Sequence, residues 1–140
     1  MQEKQDIISL SQLPEYTIMR NAMHMITILY RIFHSHGYQV TPQQWSVLHS
    51  LWEEEGLSPS ELAQKTGRDR QTITRILNVL EKNKLIQRTG NTQDKRRSHI
   101  FLTEQGKNLK DKLAPMARDF SQHVFAGFSR EEILKLQALH

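Results

Sequence analysis

A chain of 140 residues, 37% hydrophobic and 24% charged with a formal net charge of +4, has room for one domain around a modest core and not for two independent ones. Its mean hydropathy of -0.61, with no apolar run near the roughly 18 residues that cross a bilayer, excludes a membrane-spanning protein. Zero cysteines exclude disulfides, thiolate metal sites, thiol nucleophiles and cysteine-based redox switches.

The opening segment, MQEKQDIISLSQLPEY, mixes both signs of charge and has no apolar centre followed by small residues. It is unlike a secretory signal, so a cytoplasmic location is expected. From about Pro14 to His34 the pattern is helical. Tyr16, Met19, Met23, Ile26, Tyr30 and Phe33 form one stripe at spacings of three and four, and Ile18, Ala22, Met25, Leu29 and Ile32 form another. At about 100° per residue the two stripes lie side by side and together cover roughly 200° of the helix, so this helix must be buried over more than half its circumference. A helix at the centre of a single core would satisfy the pattern. A second subunit satisfies it more readily in so small a chain, and a homodimer is expected.

Thr41-Pro42-Gln43-Gln44 places a capping threonine before proline, with glutamine positioned to return the hydrogen bond, and predicts a helix from Pro42 to about Glu54. Ser58-Pro59-Ser60-Glu61 repeats the device for a short helix that Gly67 can end in the left-handed conformation. Asp69 can cap a third helix, in which Ile73, Ile76, Leu77 and Leu80 make one apolar stripe. Leu85 to Thr89 and Ser98 to Leu102 then alternate as two strands, joined by a polar, basic loop. Thr103 opens a long helix that Pro115 is expected to interrupt with a kink, and Ser129-Arg130-Glu131-Glu132 caps a last one. The expected class is therefore mostly α with a small two- or three-stranded β wing. It is a winged helix-turn-helix lobe over residues 42–103, with dimerisation helices at 14–36 and 104–140 in one domain, 1–140.

The charge is concentrated in this lobe. Between Lys65 and Arg97 there are ten basic and three acidic residues, the asymmetry a polyanion-binding face needs, because each neutralised phosphate releases condensed counterions. A solvated basic surface would leave the same trace. With its apolar stripe inward, the third helix presents Gln71, Arg75, Asn78 and Lys82, flanked by Arg68, Arg70, Thr72 and Thr74, and no acidic residue occurs between Arg70 and Val79. Such side chains suit the major groove of double-stranded DNA: Arg forks onto guanine, Gln and Asn pair with adenine, and Thr meets a phosphate or a thymine methyl. In the loop, Asp94 among Lys95, Arg96 and Arg97 suggests an acid that holds the loop in shape and an arginine that enters the minor groove.

The run from Asp94 to Gly106, DKRRSHIFLTEQG, resembles the D-x-R…L-T-x-x-G motif of the MarR family of bacterial transcription regulators. Leu62-Ala63, Thr72-Ile73-Thr74-Arg75, Leu80-Glu81-Lys82 and Leu85-Ile86 resemble that family's helix-turn-helix, and the likeness extends more loosely along nearly the whole chain. The resemblance implies a dimer reading a pseudo-palindrome, usually a repressor released when a small ligand binds between the dimer region and the lobe. It also implies that Asp94 braces the wing, Arg96 enters the minor groove, and Thr72, Thr74 and Arg75 lie in the major groove. Where members commonly have glycine this chain has Lys84, and Asn83 is expected to take the left-handed conformation instead.

For a small aromatic effector, Met23, Tyr30, Phe33, Tyr38 and Trp45 are the candidate lining, although plain core packing accounts for them equally well. Seven histidines include the His34-x-His36 pair, but there is no ligand motif, and neither a metal nor another cofactor is expected. No phosphate-binding glycine loop, nucleophile elbow or paired catalytic carboxylates occur, which argues against an enzyme. The rival from another class is a winged helix that binds only protein, which would tend to carry an apolar patch where this chain carries charge.

Overall fold

The computed structural model describes residues 9–90 and 98–139. After a single 3-10 turn at Leu10–Gln12, the elements are α1 (Pro14–Ser35), α2 (Pro42–Glu53), α3 (Pro59–Thr66), α4 (Arg70–Lys82), β1 (Ile86–Thr89), β2 (His99–Leu102), α5 (Glu104–Val124) and α6 (Arg130–Gln137). The helices begin where their caps stand. Thr41 and Gln44 form a reciprocal capping box, as do Ser129 and Glu132. Asp69 and Thr103 each accept from the backbone three residues on. Ser58 accepts from the Glu61 amide, but its hydroxyl then donates to the Glu61 carboxylate at 3.2 Å, so this cap is a half box closed between side chains. Gly67 ends α3 at φ 68°, in the left-handed region that glycine enters without cost.

The core is built where α2, α3 and α4 meet the hairpin. Val47, Leu48, Leu51, Leu62, Ile73, Leu77, Leu80, Ile86 and Ile100 are buried together, and α1 and α5 add Phe33 and Leu113. The strands pair antiparallel with Ile86 opposite Leu102 and Thr89 opposite His99. Alternation along β2 buries Ile100 and Leu102, the pleat's ordinary consequence. A third rung comes from the α2–α3 connection, where Leu57 pairs with Ile100 and Gly56 donates to the Ile100 carbonyl at 2.9 Å.

Two sequence expectations need correction. Lys84, not Asn83, takes the left-handed conformation, at φ 61° against -80° for Asn83. The reason is the turn that ends α4. Leu85 donates to the Leu80 carbonyl and Lys84 to the Glu81 carbonyl, both at 3.0 Å, a pairing that demands a left-handed residue at position 84. Pro115 does not interrupt α5, which continues as one helix from Glu104 to Val124. Outside the core, α1 is apolar and largely uncovered: Met19 and Met23 keep 53% and 61% of their surface, and Ile18, Ile26 and Ile28 are exposed beside them.

Candidate nucleic-acid interface

The first turn of α4 is organised by Asp69. One carboxylate oxygen accepts the Thr72 amide at 2.7 Å and the other the Thr72 hydroxyl at 2.8 Å. These two hydrogen bonds, the backbone one foremost, hold the Asp69 carboxyl below its ordinary value of 3.8. The Thr74 hydroxyl donates back to the Arg70 carbonyl at 2.9 Å. Both threonine hydrogens are thus spent inside the protein, which leaves their methyl groups and lone pairs as what they offer outward. That chemistry suits a thymine methyl rather than an acceptor-only phosphate.

Arg70, Gln71, Thr72, Thr74 and Arg75 line one cleft of about 900 Å³, with Asp69 and Pro59 at its edge and Arg88 from β1 at its side. Gln71, Thr74 and Arg75 are exposed there, and the Arg70 guanidinium donates to the Ser60 hydroxyl of α3. Two residues expected on this face are placed otherwise. Arg68 stands in the α3–α4 turn and lines a different cleft, and its buried Nε has no hydrogen-bond partner among the described residues. Asn78 is exposed on α4, but its side-chain oxygen accepts from Arg88 Nη2 at 2.7 Å. Arg88 was not among the residues the sequence singled out. Its only sequence signal is its place two residues after Ile86, which in a strand puts it on the same, inward side. Asp94, Lys95, Arg96 and Arg97 lie outside the described residues.

The second cleft, about 550 Å³, runs between α1 and the α2–α3 pair. Tyr30, Phe33 and Trp45 line it with Lys65 and Arg68 nearby, whereas Met23 and Tyr38 are not in its wall. Trp45 meets Phe33 and His49 at a tilt and Trp52 edge-on, at centroid distances of 5.1, 5.8 and 5.5 Å, and these rings form the apolar side of the cleft. Met23 points away from the core on the uncovered side of α1, and Tyr38 is half-buried against the core. Among the described residues no three His, Asp or Glu side chains gather as a metal site. His36 instead lies 2.8 Å from the Ile32 carbonyl, and His34 stacks on Tyr30. Among the same residues no helix is long and apolar enough to cross a membrane.

Two helices joined by a tight turn, a polar outer face on the second and a hairpin packed beside it define a winged helix-turn-helix protein. Residues 40–98 match the MarR family, and relatives similar to the chain are named HTH-type transcriptional regulators. Its kin are regulators and not enzymes. It is 38% identical over 118 residues to the HTH-type transcriptional regulator TtmR of Methylorubrum extorquens, which covers 84% of this chain and 57% of that relative. The chain thus spans less than two thirds of that relative's length. In fold it is similar to Bordetella bronchiseptica BpsR, whose DNA binding is regulated by 6-hydroxynicotinic acid, with a TM-score of 0.78, 21% identity and 92% and 91% of the two chains covered. It is similar as well to S. aureus MepR in complex with DNA, with a TM-score of 0.77, 24% identity and 93% of each chain covered.

Proposed function

We propose that the chain is a cytoplasmic transcription repressor that binds double-stranded DNA as a homodimer, reads a pseudo-palindromic operator and is released by a small aromatic ligand. The observation that carries this reading is the outer face of α4. Gln71, Thr74 and Arg75 stand exposed together, and the helix has no acidic residue from Arg70 to Val79. An ordinary solvated helix would mix in glutamates. In this reading Arg75 and Gln71 contact base edges, Thr72 and Thr74 lie against the groove, Arg70 meets phosphate near the helix start, and Arg96 of the wing enters the minor groove with Lys95 and Arg97 on the backbone and Asp94 as its brace. The lobe is residues 42–103. The DNA complex of MepR, a protein of the same fold, supports this placement.

Dimerisation through residues 14–36 and 104–140 follows from the uncovered apolar face of α1, which a second copy would bury. The effector would enter the cleft of Tyr30, Phe33 and Trp45, beside the cations Lys65 and Arg68. The regulation of BpsR by a hydroxylated aromatic acid favours that class of ligand. Salt-sensitive binding to duplexes carrying an inverted repeat, measured by gel shift over genomic fragments, is the expected result, with loss on Arg96→Ala. Absence of any duplex preference, or normal binding by Arg96→Ala, overturns the reading.

A further inference from the structure

Arg88 lies in the most basic stretch of the chain and at the side of the α4 cleft, where a phosphate contact would be the ordinary assignment. Its geometry says otherwise. The side chain is only 12% exposed, its Nη2 donates to Asn78 at 2.7 Å, and its Nε faces the Glu81 carboxylate at 3.7 Å. Nε is buried with no hydrogen-bond partner among the described residues, so the charge is directed into the protein, toward Glu81, and little of it toward solvent. Both partners sit on α4, three residues apart, while Arg88 itself comes from β1. One guanidinium therefore fastens the wing's first strand to the outer half of α4.

The consequence falls on Asn78. Paired reading of adenine needs its oxygen as acceptor and its nitrogen as donor at once. Here one lone pair of the oxygen is held by a charged donor, which ties the amide plane to Arg88 and leaves its two hydrogens as the donors it can offer. A group offering donors, in the ninth position of α4 and well past the N-terminal turns that reach bases, matches a phosphate oxygen. Resting on the DNA-binding reading above, we propose that Arg88 is a positioning residue that commits Asn78 to the DNA backbone, so that Asn78 grips the duplex without reading its sequence.

The test uses the full chain and a randomised duplex library, with binding constants measured across a salt series. Wild-type binding to duplex is the control, and its absence sinks the parent reading, not this one. Asn78→Ala is expected to lose about tenfold in affinity, the worth of one hydrogen bond to a charged acceptor, equally on preferred and unrelated duplexes. Asn78→Asp keeps the acceptor for Arg88 but faces phosphate with a carboxylate, and is expected to lose more, again without a change in base preference. Arg88→Met should match Asn78→Ala, the double variant should be no worse than either alone, and the salt slope should stay at the wild-type value. A direct phosphate contact by Arg88 would instead lower that slope by about one. A change in base preference at a defined half-site position in Asn78→Ala, additive losses, or a lowered slope in Arg88→Met each overturn the proposal. Circular dichroism melts identify a variant that has merely unfolded, and Arg88→Lys, which keeps the charge but cannot fork to both partners, then takes its place with the same expected outcomes.

Discussion

In the lobe from Thr41 to Thr103, the α4 stripe of Ile73, Ile76, Leu77 and Leu80 is wholly sequestered by α2, α3 and the hairpin, while on α1 the side chains of Tyr16, Met19, Met23 and Ile26 stand open. Both are amphipathic helices of the same chain. The difference is that α4 finds all its apolar neighbours within some sixty residues of its own sequence, whereas α1 finds them for Phe33 at one end only. A single copy is enough to complete the lobe. It is not enough to complete the helices around it, and the apolar area left there is the physical ground for a second copy.

Four measurements test this contrast. Ile73→Ala removes a completely buried side chain from the closed region and is expected to cost about 2–5 kcal/mol in urea unfolding; a loss under about 1 kcal/mol would mean that the lobe is looser than its burial implies. Ile18→Glu combined with Met23→Glu places charge on the open face. The helix content should be kept while a micromolar sample passes from dimer to monomer in light scattering, and a wild-type monomer would contradict the account of α1. Smaller in size, Lys84→Gly should stabilise the lobe by about 1 kcal/mol, since a left-handed non-glycine residue carries a penalty of that order. Thermal melts of the two proteins check it.

The smallest effect concerns Asp69. Its carboxyl is lowered in the folded protein, so its charge adds stability above the ordinary value near 3.8 and that addition is lost as pH falls below it. Asp69→Asn keeps a cap without the charge. Its melting temperature should lie below that of the wild type at neutral pH and converge with it in acid. A constant gap down to strong acid would show that the cap acts through hydrogen bonding alone.

Local chemistry made much of the lobe readable in advance. The caps Thr41, Asp69, Thr103 and Ser129 and the terminating Gly67 each act within four residues of themselves, so the helix starts and the α3 end could be assigned without knowing what packs where. The inward stripe of α4 followed from spacing for the same reason. What escaped was tertiary. Arg88 is ten residues from Asn78 and meets it only because the hairpin folds back on α4. Arg68 precedes the cap by one residue, yet the turn sends it to the cleft under α1. Lys84 shows a third kind of failure. The turn's hydrogen bonds dictate the conformation of position 84, and intrinsic preference for Asn at 83 does not compete with them.

One close approach has a mechanical consequence. Any side chain at Gly106 would collide with the Leu85 carbonyl, and the Gly106 carbonyl in turn accepts Trp52 Nε1 at 2.9 Å. The first turn of α5 is thereby welded to the root of β1 and to α2. Because α5 continues from that weld to Val124, about 27 Å at 1.5 Å per residue, it acts as a lever with the reading lobe at one end. In the proposed dimer, a tilt of about 5° set at the far end would carry the lobe about 2.4 Å over that length, a displacement approaching the span of a hydrogen bond. The distance between two recognition helices would then be governed from a place that never approaches the DNA.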